Sequence, residues 1–179
     1  MGLNKDLLRL AALPLLVLSL QTGCTQKSPY EQIVLADTDR GFQDWRADLI
    51  GPLTREEFDW FNVAIQEYKF QIMLNHEATG SEAIDPAMRA NISGRRLLDV
   101  MREGLETCLQ RKRDERDQLH DAIAVNSVNG RKLIKPDDSE TKNQLDDFQA
   151  GLRRKLAKLK DESAAIEAEL VKLPVMTKP

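Results

Sequence analysis

The rarest chemically capable side chains in this 179-residue chain are two cysteines, Cys24 and Cys108, and two histidines, His76 and His120. His76 opens the run HEATG, which lacks the second histidine that a helix-borne H-E-x-x-H zinc site needs. Cys108 and His120 are twelve residues apart. On one helix that places them about 18 Å apart along the axis, too far for a thiolate and its base. Both histidines read as solvated helix-end residues. Cys108 falls on an apolar stripe and reads as a buried, inert thiol. Carboxylates are plentiful, among them Asp137, Asp138, Glu140, Asp146 and Asp147. Metal or acid–base work requires them to converge in a pocket. On helix faces they are solvated, and the Asp137 to Glu140 group suits a helix N-terminus. No P-loop, glycine-rich dinucleotide fingerprint or G-x-S-x-G occurs. Asn91-Ile92-Ser93 fits a glycosylation sequon, a triplet frequent by chance. The reading is therefore a non-enzyme with no catalytic residues, no metal site, no cofactor and no evident small-molecule substrate.

Cys24 is different because of what precedes it. Lys5 and Arg9 flank the start, and Leu10 to Leu20 (LAALPLLVLSL) carries no charge. Eleven apolar residues span about 16 Å as a helix, against roughly 30 Å of bilayer hydrocarbon. The run is too short to cross. With the small residues Thr22 and Gly23 before Cys24, residues 1–23 read as a targeting signal, to be set aside in reasoning about the fold. One alternative is an ordinary cleaved signal with Cys24 as a bystander, and another is a Cys24–Cys108 disulfide. A cysteine on a flexible N-terminus is a poor partner for one on a helix.

The basic start, the leucine-rich stretch and LQTGC resemble a bacterial lipoprotein signal peptide. The position three before Cys24 is Gln21, where that family usually has leucine, and Leu20 lies one residue further out. The resemblance implies a diacylglycerol-modified and N-acylated Cys24, a membrane partner through that anchor, and a place in the bacterial envelope. Thr25 follows the cysteine, where lipoproteins retained at the inner membrane carry aspartate, so the implied location is the outer membrane facing the periplasm. In the mature part, the Phe42-x-x-Trp45 helix, LTREEFDWFNVAI, GRRLLDVM and a terminal coiled coil are similar to small uncharacterised helical envelope lipoproteins. That likeness implies a location and no activity.

Removing Lys5, Arg9 and Asp6 with the leader leaves 24 basic and 28 acidic side chains. This balance opposes nucleic-acid binding, which needs concentrated positive charge. Few aromatics, sparse glycine and proline and 31% charged residues point to long exposed helices. The predicted fold is all-α, with short N-terminal helices packed on a long antiparallel, coiled-coil-like hairpin. Its divisions are a signal peptide (1–23), a lipidated tether (24–36), a short helical subdomain (37–92) and the hairpin (93–179).

The spacing of Phe42, Trp45 and Leu49 predicts a helix over 39–50. A capping box at Thr54 and Glu57 starts the next helix, which is striped by Phe58, Phe61, Ile65, Tyr68 and Ile72 and runs to about Asn75. One helical turn is expected near 85–91. A long helix from residue 93 or 94 carries Leu98, Met101, Leu105, Cys108, Leu119 and Ala122. Its seam breaks at Arg111 to Asp117, which must face solvent or pack through aliphatic stems. Asn129-Gly130 suggests a tight turn, as a small ribbon or a loop. The terminal helix, 139–173, carries Leu145, Phe148, Leu152, Leu156, Leu159, Ile166 and Leu170, a stripe richer than its neighbour can match. These seven residues are the expected interaction surface, for a protein partner or self-association. The expected role is a non-catalytic, lipid-anchored envelope protein presenting a helical surface. The alternative is a periplasmic inhibitor or ligand-binding module with a groove between the first main helix and the hairpin.

Overall fold

A computed structural model describes residues 28–78, 80–133 and 139–175. The expected signal peptide, Cys24 and Thr25 lie outside these. A single 3-10 turn, Pro29–Glu31, precedes five α-helices: α1 (Asp39–Asp48), α2 (Arg55–Leu74), α3 (Ser81–Ile92), α4 (Leu97–Leu133) and α5 (Ser139–Lys172). The described residues contain no strand, and α4 and α5 form the antiparallel hairpin.

Local chemistry accounts for most of the boundaries. Thr38 accepts the Gly41 amide at 3.0 Å and starts α1. At α2, Thr54 Oγ1 accepts from the Glu57 amide at 3.2 Å and Glu57 Oε2 accepts from the Thr54 amide at 2.7 Å. This completes the capping box. Gly94 takes a φ of +76°, which a side chain disfavours, and turns the chain from α3 into α4. Pro174 ends α5, and its carbonyl accepts from Arg102 Nη2 at 2.9 Å.

Three sequence expectations are corrected. The stretch 28–36 is no free tether: Val34 and Ala36 are buried, the Val34 amide donates to the Arg95 carbonyl at 2.8 Å, and the Leu97 amide donates to the Gln32 carbonyl at 2.8 Å. Two apolar residues two apart suffice to seat one extended face. The turn near 85–91 is a 12-residue helix with Pro86 inside it, held by Met88 and Ile92, which are buried in the core. Packing outweighs the missing proline amide. Asn129-Gly130 forms neither turn nor ribbon, because α4 continues to Leu133. Turn preference is worth little against continuing an established helix. The short helices and the hairpin pack into one core, in which Phe42, Trp45, Phe61 and Ile72 meet Leu97, Met101, Leu105 and Ile166.

That core sits at one end. Trp45 packs edge-on against Phe61, with centroids 5.9 Å apart. α2 approaches α4 closely at Gly104, where an added Cβ would lie 2.7 Å from the Ala64 Cβ. Past Arg111, which still meets Glu67 and Phe70 of α2, the ion pairs of the hairpin run between α4 and α5. At about 1.5 Å per residue, the 37 residues of α4 span about 55 Å.

Candidate binding groove

α2 and α5 both lie on α4, and near the start of α2 Lys172 Nζ is 2.8 Å from Glu56 Oε1. The wedge between them is a groove of about 920 Å³ with α4 as its floor. Trp60, Val63, Phe70 and Met73 of α2 form one wall, Ala165 and Ile166 of α5 the other, and Ile84 of α3 closes one end. The walls are apolar because α2 has a second stripe, at positions 60, 63, 67 and 70, one side-chain row away from its core stripe.

Glu67 lies on that second stripe and is only 2% exposed. Its carboxylate accepts Arg111 Nε at 3.0 and 3.1 Å and Arg111 Nη2 at 2.6 Å, while Gln71 Nε2 donates at 2.8 Å. The Arg111 guanidinium also stacks over Phe70, 4.5 Å from the ring centroid. Burial by itself raises the Glu67 pKa, but hydrogen bonds from Arg111 and Gln71 outweigh it and hold the carboxyl below its usual range. The pair stays ionised at the groove floor. Cys108 is buried beside it, and burial followed by the Glu67 charge raises its thiol pKa. The thiol is buried, as its place on the stripe suggested.

Four residues of the charged run Arg111 to Asp117 form cross-helix pairs, while Asp114 accepts a hydrogen bond from Gln110 and Arg116 pairs with the exposed Asp117 within α4. Arg111 reaches Glu67, Lys112 Nζ is 2.6 Å from Glu162, Arg113 Nη2 is 2.7 Å from Glu167, and Lys155 Nζ is 2.8 Å from Glu115. The stripe on α5 is also partitioned. Leu159 and Ile166 are 3% exposed, and Leu145, Leu152, Leu156 and Leu170 are half-buried. Phe148 stays 54% exposed, while its neighbour Gln149 turns inward. The exposed member of the α5 stripe is thus Phe148, in the half of the hairpin nearer its tip, where Val125 of α4 is also exposed.

His76 and His120 are exposed, His76 with a φ of +55° just past the end of α2. Among the described residues no cluster of three or more His, Cys, Asp or Glu side chains is placed to hold a metal ion, and no helix is long and apolar enough to cross a membrane. Sequence reading missed Glu67, Arg111, Trp60 and Phe70 as groove residues. The available signal was a lone acid amid apolar residues of α2 and a basic residue opening the break in α4. Those two positions are 44 residues apart, and only the packing joins them.

Compared with known proteins, the chain matches no protein-family model, no curated protein and no solved structure.

Proposed function

We propose that this chain is a non-catalytic binding protein, lipid-anchored through Cys24 to the bacterial envelope on the periplasmic face of the outer membrane, and that its binding element is the groove between α2 and α5. The observation that supports this reading is the groove of about 920 Å³: apolar walls supplied by two helices, open to solvent, over a fixed ion pair. Such a slot has the form used to receive an amphipathic helix, whose apolar face replaces the missing neighbour between two helices. Most of the α5 stripe is committed to α4, so the groove outranks that stripe as a partner surface. The exposed pair Val125 and Phe148 supports a second, smaller contact at the hairpin tip.

The anchor is tested by Cys24→Ser in cells labelled with a radioactive fatty acid, where loss of label and of membrane association is expected. Persistence of both removes the anchor. For the groove, Ala165→Trp fills the space without touching the α4–α5 seam. Proteins co-purifying from membranes with the wild type should be lost with Ala165→Trp and retained with Phe148→Ser. The reverse pattern would transfer the binding role to the hairpin tip.

A further inference from the structure

The end of the molecule opposite the hairpin tip is assembled from segments distant in sequence. Tyr30 Oη donates to Glu57 Oε1 at 2.7 Å, Lys172 reaches Glu56, Arg102 donates to the Pro174 carbonyl, and Leu97 donates to the Gln32 carbonyl. These contacts bring the stretch 28–36, the turn before α2, the start of α4 and the end of α5 together. Nine large hydrophobic side chains among the described residues are exposed, and five of them, Ile33, Leu35, Ile50, Val171 and Val175, belong to these segments. Exposed apolar residues scattered singly need no explanation, but five gathered at one end do. Ile33 and Leu35 alternate with buried Val34 and Ala36, so they form the outward row of an extended segment. Ile50 is 67% exposed in the turn, and Val175 is 87% exposed just past α5.

The chain itself says what lies next to this end. Gln32 is fixed by its hydrogen bond to Leu97, and seven residues lie between it and Cys24, eight Cα-to-Cα steps. Fully extended, they reach at most about 27 Å. A lipid on Cys24 therefore keeps this end, and not the tip, within reach of the bilayer. We propose that the end formed by Ile33, Leu35, Ile50, Val171 and Val175 rests on the lipid surface, its apolar side chains in the headgroup region, with the hairpin tip standing roughly 50 Å away. The proposal rests on the lipid anchor read at Cys24. It leaves the groove free and points Val125 and Phe148 away from the membrane.

The test uses the full chain made in bacteria, with the mass of its N-terminal peptide reporting acylation. The protein is reconstituted into phosphatidylethanolamine–phosphatidylglycerol vesicles containing a nitroxide headgroup lipid. A fluorescent amino acid is placed at position 175 in one sample and at position 125 in another. Quenching should be several-fold stronger at 175. The combination Ile33→Ser, Ile50→Ser and Leu35→Ser should lessen that difference while leaving helicity and acylation unchanged. Equal quenching, or stronger quenching at 125, overturns the proposal. An unmodified Cys24 would remove the anchor reading instead.

Discussion

Glu67 concentrates much of the residue-scale physics of this protein. A carboxylate 2% exposed is tolerable only because Arg111 and Gln71 occupy its lone pairs. Arg111→Ala would leave that charge unpaired and should cost about 3 kcal/mol, the low end for a buried pair because Arg111 itself keeps some contact with water. Urea unfolding at neutral pH measures this. The same residue predicts a pH dependence. Its folded pKa lies below the ordinary 4.5, so the unfolded chain takes up the proton first. The stabilisation is complete above about 4.5 and is lost as the pH falls through the depressed folded value. Glu67→Gln should lower stability at pH 7 and flatten the acid limb of the stability curve. An acid limb unchanged in Glu67→Gln would show that other carboxylates carry it.

Elements follow their local signals where those signals are reinforced by burial and depart from them where they are not. The capping box at Thr54 and Glu57 and the proline after α5 act as the sequence indicates. Asn129-Gly130 does not, because a two-residue turn preference competes with a helix already running for more than thirty residues. α5 shows the same principle along a single stripe. Seven apolar residues spaced by three, four or seven positions look equivalent in sequence, yet Leu159 and Ile166 are buried and Phe148 faces solvent. Leu159→Ala should therefore cost about 2 to 5 kcal/mol, and Phe148→Ala well under about 1 kcal/mol. Thermal unfolding of the two variants side by side checks the partition. A large loss for Phe148→Ala in a sample that sedimentation shows to be monomeric would mean that the tip is packed within the chain.

At the scale of the whole molecule, the shape depends on how closely α2 can lie across the hairpin. Gly104 makes that approach possible, since any Cβ there would be 2.7 Å from the Ala64 Cβ and 2.8 Å from its Cα. Gly104→Ala should push α2 off α4, cost about 1 to 3 kcal/mol and alter the groove that α2 borders. Adding Ala64→Gly should recover only part of this, because the Ala64 backbone is also in the way. A double-mutant cycle by denaturant unfolding reads the coupling. Strict additivity would mean that the two helices do not touch there.

The order of the helices, their polarity and the hairpin were legible in the chain, because periodicity, caps and proline act over a few residues and are written in adjacent letters. What burial does with those helices was not. The seating of Val34 and Ala36, the rescue of α3 around Pro86, the pairing of Glu67 with Arg111 and the wedge between α2 and α5 all depend on residues tens of positions apart. A charged run reads the same whether it meets water or the opposite charges of another helix. The sequence by itself determined an all-helical chain with a long hairpin. Only the tertiary structure decided which apolar stripes were already satisfied, because burial is a property of the neighbours that arrive and not of the stripe.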